Sequence, residues 1–204
     1  MLLQRGVRRE PPGPASIKPG WNFVFKLHIE ASRRDPDRFG AVFDRYFAAI
    51  HRYVHLRLGE PAADDLAAET FLRAFRDRNR FDLTCPSARP WLYGIASNLV
   101  AEHHRGEARR YRALARSADA TEIDSHDERV AQRVSAAVMQ PRLATGLARL
   151  SAGDRDVLLL VACAQLSYDE VADALGIPQG TVGSRLNRAR KKLRKIIGPA
   201  GEAL

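Results

Sequence analysis

Apolar residues recur along most of this chain at three- and four-residue intervals, the spacing that lines one face of an α-helix. Phe39, Val42, Phe43, Tyr46, Phe47, Ile50, Tyr53 and Val54 form the first strong stripe. Gly59-Glu60-Pro61 ends it, with glycine where a left-handed residue closes a helix. A second helix is expected from about Ala63 to Asp77, with Leu66, Thr70, Phe71, Ala74 and Phe75 facing inward. A breaker-rich stretch from Arg80 to Arg89 follows. Pro90 suits the first turn of a third helix, which carries Trp91, Ile95 and Leu99 inward and continues into Arg105, Arg109, Arg110 and Arg112. No strand of note is expected.

From Ala118 to Asp127 the chain turns polar and mildly acidic, a composition that suits a linker. Apolar periodicity resumes over Val130–Val138, is interrupted by Pro141, and begins a second helical unit at about Leu143, with Leu147 and Leu150 on one face. Ser151 is placed to cap the next helix, which carries the run Val157–Val161. The predicted architecture is all-α, with two small helical domains joined by a flexible linker. Residues 1–36 are expected as a loose arm, although Trp21–Ile29 is apolar enough to pack. The N-terminal domain is expected over 37–115, the linker over 116–141, the C-terminal domain over 142–198 and a short tail over 199–204.

The segment from about Ser167 to Ile197 carries the most specific local pattern, a helix-turn-helix. Ser167 and Glu170 have the spacing of a capping box. Val171 and Leu175 face inward, and Ala172 is small where a second helix crosses. Gly176 permits the tight turn that Ile177 plugs, and Pro178 and Gln179 open the second helix. Val182 and Leu186 hold that helix to the module. Gln179, Thr181, Ser184, Arg185, Asn187 and Arg188 fall outside the apolar stripe. Polar residues so placed on a recognition helix meet base edges in the major groove, while Arg190, Lys191 and the helix N-terminus serve phosphates.

The charge balance fits this picture. Thirty-three Lys and Arg against 24 Asp and Glu give a net charge of +9, which points to a polyanionic partner. The excess is concentrated between Pro178 and Gly198, a stretch without an acid, whereas Asp64 and Asp65 dominate around Glu60–Glu69. The two cysteines, Cys85 and Cys163, have no metal-ligand spacing, and Cys163 reads as a reduced core thiol. His103 and His104 have no evident third ligand, so neither a metal nor any cofactor is expected. No run approaches the roughly 18–20 apolar residues that span a bilayer. The first 20 residues lack the apolar core of a signal peptide, so a cytoplasmic protein without a membrane partner is expected.

Three motifs in order, Asp64-Asp-Leu-Ala-Ala-Glu-Thr-Phe-Leu-Arg-Ala-Phe75, Arg89-Pro-Trp-Leu-Tyr-Gly-Ile-Ala-Ser-Asn-Leu99 and the helix-turn-helix, resemble bacterial sigma factors. The similarity is to the small extracytoplasmic-function (ECF) group of the sigma-70 family and extends over about Pro36–Gly198. The resemblance implies that Asp64, Asp65, Glu69, Phe71 and Arg73 bind core RNA polymerase. It implies that Arg80, Arg89, Trp91, Asn98, Arg105 and Arg109 hold the melted −10 strand, by a basic groove and aromatic stacking. Trp91 has an alternative place in the core, in phase with Ile95 and Leu99. Gln179, Thr181, Ser184, Arg185, Asn187, Arg188, Arg190 and Lys191 would then read the −35 element. Two positions depart from the family: Ala68 replaces the usual Gln, and Gly183 stands where Lys or Arg is common.

The function so implied is promoter-specific initiation without catalytic chemistry of its own. Its partners would be core RNA polymerase, promoter DNA and, as in many members of the group, an anti-sigma factor. A conventional helix-turn-helix regulator acting without polymerase would predict dimerisation and a palindromic site. It gives no account of the Asp65–Phe75 helix. A hydrolase or transferase with an appended DNA-binding domain would need a polar constellation in the first 115 residues, and none is found there.

Overall fold

The computed structural model describes residues 21–60, 62–117 and 141–197, and all regular structure among them is helical. The expected arm up to residue 20, the linker over 118–140 with its Val130–Val138 periodicity, and the tail from 198 lie outside the described residues. The N-terminal domain comprises α1 (Trp21–Ser32), α2 (Gly40–Leu58), α3 (Ala62–Asp77) and α4 (Arg89–Ser117), with 3-10 turns at Pro36–Phe39 and Arg78–Arg80. The C-terminal domain comprises α5 (Pro141–Ala148), α6 (Ala152–Ala162), α7 (Tyr168–Leu175) and α8 (Gln179–Ile197).

The apolar stripes pack as their spacing predicts. Val42, Tyr46, Ile50, Tyr53 and Val54 of α2 are buried against Ala67, Phe71 and Ala74 of α3 and Leu92, Ala96 and Val100 of α4. Gly59, at φ 72°, closes α2 with its N–H donating to the His55 carbonyl and turns the chain into α3. Trp21–Ser32, placed by sequence in the loose arm, is instead a helix. Ile29 is fully buried, Arg33 donates to the Phe81 carbonyl at 2.7 Å, and Arg78 donates to the Ser32 carbonyl at 3.1 Å. These long-range bonds dock α1 onto the turn after α3, and its own sequence gives no hint of them.

In the C-terminal domain α5, α6 and α7 all pack on α8. The Ser151 hydroxyl caps α6 by accepting from the Asp154 N–H. Buried Arg155 reaches back from α6 and donates to the carbonyls of Leu147 (2.9 Å), Leu150 (3.0 Å) and Ala148 (3.4 Å), which satisfies the open C-terminal end of α5.

The two domains are closed on one another. α4 lies across α7, so closely that a Cβ on Gly94 would come within 2.7 Å of the Ala174 carbonyl oxygen. One buried apolar cluster runs through both domains, from Ile29 to Ala189.

Candidate nucleic-acid interface

The helix-turn-helix forms as its sequence predicts. Ser167 accepts from the Glu170 N–H at 3.2 Å, and the Glu170 carboxylate accepts from the Ser167 N–H at 2.9 Å, completing the capping box. Gly176 adopts φ 61°, ψ 39°, the left-handed conformation that ends α7 at little steric cost. Val171, Val182 and Leu186 are buried, locking α8 against α7.

The opposite face of α8 is open. Gln179, Ser184, Asn187, Arg188, Arg190 and Lys191 are exposed, and Thr181 and Arg185 are half-buried. Several side chains are held rather than loose. Gln179 donates to Asp169 at 2.7 Å, the Ser184 hydroxyl to the Thr181 carbonyl at 3.0 Å, and Arg188 to Asp154 at 3.3 Å. Arg185 lies over the start of α6, where a Cβ on Gly153 would meet its guanidinium at 2.7 Å. A Cβ on Gly183 would meet nothing within 4 Å, so the gap on this face is open space.

The acidic helix α3 exposes Asp64 and Asp65 in its first turn. Glu69 accepts from Arg73 at 3.1 Å, and Arg73 in turn reaches Glu102 of α4 at 3.0 Å. The hydrogen bond from Arg73 holds the Glu102 carboxyl below its ordinary range. Phe71 does not stand with these surface residues. It is 4% exposed and packs edge-on to Phe43 at 5.1 Å, which helps seat α3 in the core.

The residues expected at the −10 strand divide. Arg80, Asn98, Arg105 and Arg109 are exposed. Trp91 is half-buried against Phe81, ring centroids 4.9 Å apart, and so sits at the edge of the core. Arg89 donates to the Ala164 carbonyl, across the seam between the domains.

That seam holds the functional-looking group that the sequence did not reveal. The Tyr53 hydroxyl lies 2.8 Å from Ser97 Oγ and 3.4 Å from Asp156, whose carboxylate also accepts from Arg57 at 3.0 Å. Burial raises the Asp156 carboxyl and the Tyr53 phenol, and pushes the Tyr93 phenol up to about 12. Both tyrosines are therefore neutral at physiological pH. His104, beside Arg57 and Arg155, is pushed down to about 4, first by burial and then by those two cations. Cys163 at the seam is half-buried with its thiol raised by burial, an unreactive environment.

Residues 42–110 match the family model described as Sigma-70 region 2, and residues 142–193 match that of Sigma-70, region 4. The ECF RNA polymerase sigma factor SigL of Mycobacterium tuberculosis is 32% identical over 162 residues, covering 79% of this chain and 89% of SigL. The ECF RNA polymerase sigma factor BldN of Streptomyces coelicolor is 31% identical over 177 residues, covering 85% of this chain but 66% of BldN. Among solved structures, that of CnrH in complex with the cytosolic domain of CnrY superposes with a TM-score of 0.60 at 25% identity, covering 86% of this chain and 96% of CnrH.

Proposed function

The chain belongs to the ECF sigma factors of the sigma-70 family, and from that membership we propose that it recruits core RNA polymerase to promoters and reads them with both domains. The observation that carries this reading is the open polar face of α8, held rigidly by the Ser167–Glu170 box and the Gly176 turn. Its N-terminal residues enter the major groove at −35, and Arg188, Arg190 and Lys191 contact phosphates. Asp64, Asp65, Glu69 and Arg73 of α3 dock on the polymerase. Asn98, Arg105 and Arg109, with Arg80 and the edge of Trp91, hold the melted −10 strand. Arg89 joins them once it leaves Ala164.

The closed form is then a resting form. Elements centred at −35 and −10 are about 25 base pairs apart, roughly 85 Å at 3.4 Å per base pair. Domains in contact cannot reach both. The 23 residues between the described domains can span at most about 80 Å at ~3.5 Å per residue, and the domains add their own width. Opening therefore precedes promoter binding. Because CnrH is solved with the cytosolic domain of CnrY, a protein partner that controls opening is proposed here too, an anti-sigma factor. The test is run-off transcription with purified core polymerase and a cognate promoter. Promoter-dependent transcript is expected, and failure to bind core polymerase at all would overturn the reading in favour of a polymerase-independent regulator.

A further inference from the structure

At the end of the N-terminal domain where α2 passes to α3, three elements of local geometry bring imidazoles and carboxylates together. His51 and His55 are four residues apart on α2 and share one face, their rings stacked with centroids 6.2 Å apart. Gly59 reverses the chain directly after α2. Glu60 and the first turn of α3 are thereby returned alongside the two histidines. His51 Nε2 lies 2.8 Å from Asp64 Oδ1, and His55 Nδ1 lies 3.4 Å from Glu60 Oε1. One ligating atom each from His51, Glu60 and Asp64 falls within 4.8 Å of the others.

We propose that His51, Glu60 and Asp64 bind a divalent transition metal of the zinc class, with water completing the coordination. Zinc binds imidazole nitrogen and carboxylate oxygen at about 2.0–2.2 Å, so tetrahedral ligand atoms sit roughly 3.4 Å apart. The observed spacings bracket that value, and rotation of the exposed Glu60 and Asp64 side chains closes the remainder. A mixed nitrogen and oxygen set selects against magnesium and calcium, which take oxygen ligands. The side chains of Glu60 and Asp64 are 58% and 70% exposed, which leaves an entry path. The same pairs contribute little to the fold as surface ion pairs. Asp64 also belongs to the acidic face of α3, so a bound ion would neutralise part of the polymerase-docking surface. That consequence rests on the function proposed above; the binding itself does not.

The test uses the full chain without an affinity tag, titrated calorimetrically with zinc chloride and followed by cobalt(II) absorption. One ion per chain is expected. His51→Ala and Asp64→Asn should each weaken binding roughly tenfold or more, since losing a ligand costs at least as much as losing a group behind one. His103→Ala should leave binding unchanged, as should replacing Cys85 with Ser. Far-UV circular dichroism confirms that each variant is folded. No zinc binding at tens of micromolar, binding indifferent to both His51→Ala and Asp64→Asn, or a cobalt spectrum with thiolate charge-transfer bands would each overturn the site. Zinc should also weaken core polymerase binding by the wild-type chain but not by His51→Ala. A chain that binds zinc as described yet never binds polymerase would sink the docking reading and leave the metal site standing.

Discussion

The seam between the domains and the recognition helix α8 solve opposite problems with similar residues. Along α8 the arginines are mostly exposed, although Arg188 reaches from the surface to the buried carboxylate of Asp154. At the seam, Arg57 is 3% exposed and its charge is balanced by Asp156 on the other domain. Nε and one terminal nitrogen of Arg57, and Nε2 of His104, are buried without a hydrogen-bond partner. Exposed cations such as Arg190 and Arg194 can be directed to a phosphate at small cost. A buried pair is roughly break-even against its own desolvation, and unpaired donors beside it add cost. The buried pair therefore adds register to the seam more than binding energy, which comes from the apolar cluster shared by the two domains.

The sharpest way to break this contrast is at Arg57. Arg57→Ala leaves Asp156 without its cation, and the closed form should lose about 3–5 kcal/mol. Small-angle scattering should show a larger radius of gyration. The double change Arg57→Leu with Asp156→Leu should recover much of the loss, and an unchanged radius in Arg57→Ala would show that the pair does not hold the domains together. Next in size is Gly94→Leu, whose Cβ must displace the Ala174 backbone. A penalty of ~1–3 kcal/mol is expected, again read as opening, with each domain's own helicity intact.

Acidity should act on the same seam. His104 binds its proton at about 4 in the folded chain against 6.5 unfolded, so the unfolded or opened chain takes up more protons between those values. Stability is full above pH 6.5 and falls as the pH drops toward 4. Burial first, and then the charges of Arg57, Arg155 and His103, enforce this sign, whereas the raised Asp156 carboxyl opposes it by favouring the closed form on acidification. His104→Gln should flatten thermal stability across that window, and an unaltered profile would remove His104 from the account.

Smaller effects are expected on the reading side. Ser167→Ala removes a cap and should cost about 1 kcal/mol in the helix-turn-helix by denaturant unfolding, without changing the radius of gyration. Arg188→Ala should lower the salt dependence of duplex binding by about 0.9 in log–log slope, and Gly183→Lys, which enters open space, should raise it by a similar amount. Equal slopes in all three proteins would remove both positions from the phosphate contacts.

What could be read from sequence was local. The capping box, the Gly176 turn and the Ser151 cap involve residues three to five apart, so their chemistry is written in adjacent letters. The inner face of α3 was equally legible, and its phase placed Phe71 inward even though the family pattern placed it among the contacts. The seam was not legible, because Tyr53 meets Ser97 and Asp156 from 44 and 103 residues away, and Arg52 donates to the Cys163 carbonyl from 111 residues away. Nor was the His51–Asp64 pairing, which depends on the angle at which Gly59 returns the chain. For α1, the bonds that fix it come from Arg78 and Phe81, far downstream.

Arg155 adds a mechanical consequence. By closing the end of α5 with its guanidinium while standing in the core of α6, it welds those two helices into a single bracket around α8. Movement at the seam then displaces the C-terminal domain as a solid piece. On the function proposed above, the exposed face of α8 would travel with its shape already set, and opening would change where that face is, not what it looks like.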